Sequence, residues 1–260
     1  MSSPLEGRRV LVTRAAGQAP VLGEMLSAEG ASPIGVPVIR RQDLMDAATR
    51  EALLARIGAE EFDDLVFTSA NAVDCLWGGG AAAPAGPRVY AIGPGTAAAL
   101  ERAGWAVETL PAGFIAESLV ERISQAGVSG RRILIPRARG ARDVLPRLLE
   151  QMGALVEVAE LYEMVPEWAS QEALTELLRG RGIDCVTFTS GSTVRCFAAL
   201  AGPLRPAPEC VLAALGPVTA EEARRHGMAP QVVAQTHSLP GLVDALRSWY
   251  AALPENEGQP

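Results

Sequence analysis

Small polar residues, glycines and arginines follow six apolar runs of the sequence, where a ligand-binding turn is expected. Each block precedes a stretch of helical periodicity, so its backbone N–H groups open a helix. Small residues leave those N–H groups accessible, and Ser or Thr oxygens act as further donors, which suits an anion. Any one block also fits an ordinary helix cap or turn, but six together favour a shared binding cleft. The blocks are Thr13-Arg14, Thr68-Ser69-Ala70-Asn71, Gly93-Pro94-Gly95-Thr96, Arg137-Ala138-Arg139-Gly140, Thr189-Ser190-Gly191-Ser192-Thr193 and Gly216-Pro217-Val218-Thr219.

The remaining reactive side chains form no catalytic or metal-binding constellation in the sequence. His226 and His237 have no partner at the spacing of a catalytic triad or a metal site. The four cysteines show no Cys-x-x-Cys spacing, and each lies in an apolar setting typical of a small buried residue. Asp63, Asp64 and Asp184 precede apolar runs and are expected at the opposite edge of the sheet. The sequence therefore predicts neither a zinc site nor a disulfide.

Composition excludes several classes of function. All 23 basic residues are arginines, so neither a Schiff-base lysine nor a phosphate-loop lysine can act here. The net charge of −7 and the pI of about 5.0 disfavour a nucleic-acid-binding protein, which needs a basic surface. No apolar run reaches the roughly 18 to 20 residues that cross a bilayer, and no secretory leader is recognised. We therefore expect a cytoplasmic protein without a membrane anchor.

The chain contains an internal repeat, which is the most informative feature of the sequence. Its first motif, GRRVLVTR, begins at Gly7 and recurs as GRRILIPR from Gly130, 123 positions later. Ordered matches at nearly one spacing are not expected by chance. The other matches are Gly30 with Gly153, Phe67–Ser69 with Phe188–Ser190, and Ile92–Ala97 with Leu215–Ala220. Gly30 and Gly153 are each predicted to close the first amphipathic helix of their copy.

Each copy alternates apolar strands with amphipathic helices, which is the pattern of a parallel α/β sheet. Five strands in each copy suit a doubly wound, flavodoxin-like sheet. The second strand of each copy runs on into polar residues, so these two strands are candidates for inter-domain linkers that pair with each other. The predicted strands are Val10–Thr13, Ile34–Ile39, Leu65–Thr68, Val89–Ile92 and Val107–Leu110 in the first copy, and Ile133–Ile135, Leu155–Tyr162, Val186–Thr189, Val211–Leu215 and Gln231–Val233 in the second.

Two arrangements of the copies fit this pattern. Each copy could form its own lobe, or the lobes could exchange their last three strands. Local sequence does not decide between these arrangements, because both contain the same strands and helices.

Taken in order, the motifs resemble those of the uroporphyrinogen-III synthase family over roughly residues 7–250. Each motif is short, so the likeness depends on their order and spacing. Val218 departs from the pattern, since relatives often carry a hydroxyl residue at this position. The motifs are Val10–Arg14 with Gly17-Gln18, Val66–Val73, Ala91–Thr96, Leu134–Arg137 with Arg142, Val158–Tyr162 and Thr187–Ser190.

The resemblance implies two flavodoxin-like lobes with crossed connectivity. In the family the lobes are joined by a two-stranded ladder, and the chain leaves the first lobe after its second strand and returns later. For this chain, that implies residues 1–38 and 167–260 in lobe 1, residues 43–161 in lobe 2, and residues 39–42 and 162–166 as linker strands.

The resemblance also implies the reaction and the partners. The family substrate is hydroxymethylbilane, a tetrapyrrole polycarboxylate, which is cyclised without a metal or a redox cofactor. It further suggests a transient contact with the preceding pathway enzyme, and no nucleic-acid or membrane partner. The alternative is a non-catalytic, two-lobed small-molecule-binding or sensor protein, because fold does not fix function.

Tyr162 lies at the end of an extended strand beside the predicted cleft, where it either packs on a hinge or takes part in the chemistry. By resemblance, it matches the family tyrosine proposed to assist departure of the substrate hydroxyl, and Ser69 and Thr219 match cleft positions. The full set of predicted substrate-binding residues is Thr13, Arg14, Ser69, Asn71, Gly93, Thr96, Arg137, Arg142, Ser190, Ser192, Thr193, Gly216 and Thr219.

Overall fold

The computed structural model describes residues 3–77, 86–109 and 127–253, and it shows an α/β protein with two largely parallel sheets. The chain divides into two compact units: unit 1 is Met1–Arg41 with Met164–Pro260, and unit 2 is Gln42–Glu163. The elements are β1 Arg9–Val12, α1 Ala19–Ala28, β2 Ser32–Gly35, β3 Ile39–Asp43, α2 Ala47–Gly58, β4 Asp64–Phe67, α3 Ala70–Trp77, β5 Arg88–Ala91, α4 Pro94–Arg102, β6 Glu108–Thr109, β7 Arg132–Ala138, α5 Val144–Gln151, β8 Leu155–Pro166, α6 Gln171–Arg179, β9 Cys185–Phe188, α7 Gly191–Ala201, β10 Val211–Ala214, α8 Pro217–Arg225, β11 Val232–Val233 and α9 Leu239–Ala252.

Unit 1 contains a five-stranded sheet in the order β2-β1-β9-β10-β11, and its neighbouring strands are parallel. Helices cover both faces of this sheet, so successive residues of β1 enter different cores. Leu11 packs with Phe197 of α7 on one face. Val12 packs with Leu26 of α1 and Leu246 of α9 on the other. Burial on both faces explains why these strands are continuous apolar runs in the sequence.

Unit 2 contains most of a six-stranded sheet in the order β3-β8-β7-β4-β5-β6. The strands from β8 to β6 are parallel to their neighbours. On one face, Ile133 and Ile135 of β7 pack against Leu145 and Leu149 of α5. For the helix after β7, the sequence predicts one apolar face made of Val144, Leu145, Leu148, Leu149 and Met152. Leu145 and Leu149 are buried as predicted, but Val144 and Met152 are exposed.

The strands β3 and β8 carry the chain from one unit to the other and pair with each other. The N–H of Leu44 donates to the carbonyl of Leu161 at 2.9 Å, and the N–H of Glu167 donates to the carbonyl of Val38 at 3.0 Å. Chain position rises along one strand as it falls along the other, so this pair is antiparallel. The strand order also shows that strands from the two copies of the repeat share a sheet, since β1 and β2 lie in one sheet with β9, β10 and β11.

One predicted strand is wrong in its extent. The sequence predicts a single strand over Ile34–Ile39, whereas the structure has β2 over Ser32–Gly35 and β3 over Ile39–Asp43. Pro37 lies in the gap, and a proline cannot donate to the ladder. The chain therefore leaves the first sheet there and joins the second.

The other predicted strands agree with the structure to within a few residues, except that Leu110 lies outside the described residues. Gly30 and Gly153, predicted to close the first helix of each copy, have φ of +79° and +86°. These left-handed conformations favour glycine. Among the described residues, no helix is long and apolar enough to span a membrane.

Candidate functional site

Tyr162 and Ser69 meet in unit 2 at the carboxyl ends of its strands. Tyr162 lies in β8 opposite Ala138, the last residue of β7, and Ser69 follows β4. The phenol oxygen lies 2.9 Å from Ser69 Oγ, although the two residues are 93 positions apart. Tyr162 is only 4% exposed, so its hydroxyl is held in place by its surroundings.

The contacts of Ser69 fix the geometry of this hydroxyl pair. Ser69 Oγ accepts from the N–H of Ala72 at 3.2 Å, which caps α3 and orients the serine. Either hydroxyl can donate to the other. With Ser69 as the donor, the phenol of Tyr162 can donate to a further oxygen, as a proton-donating tyrosine must.

Arg137, at the end of β7, is held by the turn that follows it. One terminal nitrogen donates to Asp143 Oδ1 at 2.6 Å, and the other donates to the carbonyl of Arg142 at 3.3 Å. Arg137 is 9% exposed, and its Nε is buried without a hydrogen-bond partner in the described part of the chain. The guanidinium lowers the pKa of the Asp143 carboxyl below its usual value by hydrogen bonding and charge. Arg142 is exposed.

Three more predicted residues of unit 2 lie where helices open. Asn71 is partly buried in the first turn of α3. Gly93 precedes α4 with φ of +84°, a conformation that favours glycine. Thr96 lies in the first turn of α4 and is buried. The first turns of α3 and α4 present their N–H groups at the same edge of the sheet as Ser69, because each helix follows a parallel strand.

In unit 1, Thr13 is placed within the sheet. Thr13 is fully buried, and its hydroxyl donates to the carbonyl of Thr187 at 2.6 Å. The hydroxyl of Thr187 donates in turn to the carbonyl of Leu11 at 2.9 Å. Together they tie β1 to β9, so the side chain of Thr13 has a structural role.

Arg14 follows Thr13 at the carboxyl end of β1. Its terminal nitrogen donates to Gln18 Oε1 at 3.1 Å. Its Nε is buried without a hydrogen-bond partner in the described ranges. Burial lowers the pKa of the Arg14 guanidinium from its ordinary value.

The turn after β9 forms a capping box at the start of α7. Ser190 Oγ accepts from the N–H of Thr193 at 3.1 Å, and Thr193 Oγ1 accepts from the N–H of Ser190 at 2.9 Å. Ser192 accepts from Arg195 at 3.2 Å. The hydroxyls of Ser190 and Thr193 therefore fix the first turn of α7, while Ser190 and Ser192 remain partly exposed.

The turn after β10 lies beside His237, which was not among the predicted site residues. Gly216 precedes α8, and a Cβ on it would lie 3.1 Å from Cδ2 of His237. His237 is exposed, and Thr219 in the first turn of α8 is 6% exposed. Gly216 was already predicted to lie in a ligand-binding turn. Its contact with His237 could not be predicted from spacing, because the two residues are 21 positions apart in the sequence.

The switch point of each sheet lies between two strands whose connections run in opposite directions. In unit 1 it lies between β1 and β9, which end near Arg14 and Ser190. In unit 2 it lies between β7 and β4, which end near Arg137 and Ser69. Ligands of open α/β sheets bind at such points.

Asp63, Asp64 and Asp184 lie at the amino ends of β4 and β9, as the sequence predicts. Asp64 is the first residue of β4, is fully buried and pairs with Arg88 and Arg131. Asp184 precedes β9 and pairs with Arg9. In residues 3–77, 86–109 and 127–253, no cluster of three or more His, Cys, Asp or Glu could hold a metal.

Both sheets are open α/β sheets that carry hydroxyl groups and arginines at the carboxyl ends of adjacent strands. This arrangement is typical of one class of α/β proteins. Its members take a small-molecule ligand at that edge of the sheet.

Comparison with known proteins identifies the family within that class. The family model described as uroporphyrinogen-III synthase HemD matches residues 5–244. The chain belongs to the uroporphyrinogen-III synthase family, cyclising lyases of haem biosynthesis that act on a tetrapyrrole. It is 32% identical over 259 residues to the uroporphyrinogen-III synthase of Synechococcus elongatus, with 95% of this chain and 97% of that protein covered. The family predicted from the motifs is thereby confirmed.

Solved structures share the fold. Uroporphyrinogen-III synthetase from Helicobacter pylori has a TM-score of 0.61 at 18% identity, covering 94% of this chain and 99% of that one. A mutant uroporphyrinogen III synthase from Thermus thermophilus has a TM-score of 0.59 at 20% identity, covering 95% of this chain and 98% of that one. At these identities the likeness establishes the α/β architecture.

Proposed function

We propose that this chain converts hydroxymethylbilane to uroporphyrinogen III, closing the linear tetrapyrrole with inversion of its terminal ring. Loss of the substrate hydroxyl together with the N–H proton of the same pyrrole ring, as water, gives an electrophilic azafulvene. The far ring attacks it through its substituted carbon and gives a spiro intermediate, which fragments and recloses with that ring inverted. The observation that carries the proposal is the Tyr162–Ser69 hydroxyl pair, 2.9 Å apart at the ligand-binding edge of unit 2.

In this proposal Tyr162 is the catalytic residue. Its phenol donates a hydrogen bond to the departing hydroxyl, and Ser69 donates to the phenol oxygen and orients it. No second acid or base is required, because the bilane loses its hydroxyl readily.

Most of the enzyme's task is then to hold the bilane in one conformation, since spontaneous closure gives the uninverted isomer. The carboxylates of the substrate are received by helix N-termini and arginines at the carboxyl edges of the sheets. Thr13 and Thr193 contribute mainly by positioning the backbone of their turns, because their hydroxyls are already bonded within the protein. The residues proposed to face the substrate are Arg14, Ser69, Asn71, Gly93, Thr96, Arg137, Arg142, Ser190, Ser192, Gly216 and Thr219.

We also propose that each unit is a flavodoxin-like lobe. The order β2-β1-β9-β10-β11 and the order β8-β7-β4-β5-β6 both follow the flavodoxin pattern, with the second strand outside the first. The division into two compact units supports the lobes that the family resemblance implies, which are residues 1–38 with 167–260 and residues 43–161. Residues 39–42 and 162–166 would then be the linker strands.

We place the enzyme in the cytoplasm, in transient contact with the preceding pathway enzyme. The contact is expected because a bilane that closes spontaneously is lost to the uninverted isomer. Neither a cofactor nor a nucleic acid enters this scheme, and the net charge of −7 supports the second point.

The test is to supply hydroxymethylbilane to the purified protein, oxidise the products and resolve isomers I and III. We expect isomer III to form well above the spontaneous rate of ring closure. Isomer I alone, at the spontaneous rate, would leave a binding or sensor protein as the explanation.

A further inference from the structure

Two arginines occupy equivalent positions in the two copies of the repeat. Arg14 and Arg137 end the matching motifs, 123 positions apart, and each lies at the switch point of its own sheet. Both have an Nε that is buried without a hydrogen-bond partner among the described residues. Equivalent positions and equally unsatisfied Nε groups suggest equivalent roles at first sight.

Their charged surroundings are different. Arg137 forms an ion pair with Asp143 at 2.6 Å. A terminal nitrogen of Arg14 lies 3.1 Å from Oε1 of the neutral Gln18. Among the described residues, no carboxylate oxygen lies within 4.0 Å of the Arg14 guanidinium, the limit for an ion pair. The repeat explains the difference, because Pro20 stands where the second copy has Asp143.

A partly buried guanidinium without a counterion is unfavourable. Burial removes its hydration, and no neighbouring carboxylate compensates for that loss. The lowered pKa of Arg14, caused by burial, agrees with this picture. Arg9 and Arg56 show the opposite behaviour, since their carboxylate partners raise the pKa of each guanidinium. The charge that Arg14 lacks would come from an anion outside the chain.

We propose that Arg14 binds a carboxylate of the substrate directly, and that Arg137 binds one more weakly because Asp143 competes for its guanidinium. The geometry favours a carboxylate, since the planar guanidinium can form two parallel hydrogen bonds to it. This inference rests on the proposed function, in which the substrate carries several carboxylates.

The test compares matched variants of the two arginines by their KM and kcat for hydroxymethylbilane. We expect Arg14→Gln to raise KM by about 10-fold or more, because a charge-assisted hydrogen bond is lost. Arg137→Gln should raise KM by no more than about 3-fold, since Asp143 already neutralises that arginine. Equal effects of the two variants on KM would overturn the proposal.

Asp143 offers a change in the opposite direction. Asp143→Asn leaves the guanidinium of Arg137 without its internal carboxylate, so KM should fall by about 3-fold. That gain should disappear in the double variant with Arg137→Gln. A rise in KM for Asp143→Asn alone would contradict the competition.

Circular dichroism melting curves check that each variant is folded. If Arg14→Gln does not fold, Arg14→Lys is the deciding variant, because it keeps the charge but loses the planar fork. We expect Arg14→Lys to raise KM, and a wild-type KM would overturn the subsite. Isomer III formation by the wild type separates failure of the proposed function from failure of this inference. If the wild type forms no isomer III, the proposed function fails. If it forms isomer III and the Arg14 variants keep the wild-type KM, only this inference fails.

Discussion

At the scale of single residues, the hydroxyl pair of Tyr162 and Ser69 makes the sharpest prediction. Tyr162→Phe removes the phenol proton but keeps the buried ring, so kcat should fall by at least about 10-fold while the protein still folds. Ser69→Ala keeps the phenol and removes its partner, so its effect on kcat should be smaller. Because the two oxygens are 2.9 Å apart, the double variant should lose less than the two single effects combined.

The measurement is the steady-state rate of isomer III formation at saturating hydroxymethylbilane, with the melting temperature as the folding control. Ser69→Ala also removes the cap of α3, which costs about 1 kcal/mol of stability, so some loss of melting temperature is expected there. A wild-type kcat in Tyr162→Phe would remove this phenol from the mechanism. Strict additivity of the two substitutions would show that the serine does not act through the tyrosine.

The cysteines make a second prediction at this scale. Burial raises the pKa of the Cys196 thiol to about 11 and that of the Cys210 thiol to about 12. Because the thiolate is the reactive form, it appears only as the pH rises towards those values. At pH 8, only a very small fraction of the Cys196 thiol is therefore ionised.

We therefore expect native protein to react slowly with iodoacetamide at pH 8 and urea-unfolded protein to react quickly. Peptide mass spectrometry at several pH values gives the rate for each thiol. Rapid, complete alkylation of Cys196 or Cys210 in native protein at pH 8 would show that these thiols are not protected by burial.

Single residues also show where sequence reasoning ends. Tyr162 and Ser69 could be named from their motifs, but their contact depends on the pairing of strands far apart in the chain. Arg137 and its ion-pair partner Asp143 are close in the sequence, yet the family motif predicted Arg142, and not Asp143, as the second site residue of this turn. Side-chain direction within a turn decides such partners, and residue spacing does not encode it.

At the scale of secondary-structure elements, the capping box of α7 can be tested directly. Ser190→Ala removes one of its two reciprocal hydrogen bonds and should cost about 1 kcal/mol in the free energy of unfolding. Ser192→Ala is the matched control, two positions along, since Ser192 contacts Arg195 rather than the helix end. It should change stability by less than about 0.5 kcal/mol.

Urea unfolding at equilibrium measures both variants. Similar losses of stability from Ser190→Ala and Ser192→Ala would mean that the cap does not stabilise α7 as the hydrogen bonds indicate. Because Ser190 is also proposed to face the substrate, KM should be measured alongside stability.

Most elements could be predicted because their signals are local. Apolar runs buried on both faces gave the strands, and Gly30 and Gly153 gave the ends of two helices. The strand over Ile34–Ile39 was wrong because its apolar pattern continues through Pro37, where the chain changes sheets. The pattern reports burial, and burial continues across that transition.

At the scale of the whole molecule, the pairing of strands between the two copies could not be predicted from the local sequence. The repeat showed that two similar halves exist, but strands of either arrangement have the same apolar patterns. What differs is which strands pair, such as β1 with β9. That choice is made by long-range packing, and only the family resemblance suggested it in advance.

The crossed connectivity leads to the final prediction, that each unit can fold without the other. Unit 2 is one continuous segment, Gln42–Glu163, whose end residues meet through a hydrogen bond of 3.4 Å between their side chains. Unit 1 is discontinuous, but Arg41 and Met164 belong to the antiparallel pair of β3 and β8. An Asn-Gly linker between Arg41 and Met164 should close that pair as a hairpin, because two-residue turns of this type join antiparallel strands.

Both separate units should show helical circular dichroism and a cooperative urea transition, since each has its own buried core. Unit 1 alone should not form isomer III, because the proposed catalytic pair of Tyr162 and Ser69 lies in unit 2. A matched control joins Arg41 to Met164 by a long Gly-Ser linker, which should give a less stable unit 1 because a longer loop costs more entropy to close. Unfolded or aggregated fragments, with only the intact chain folding, would show that the compact units are not independent domains.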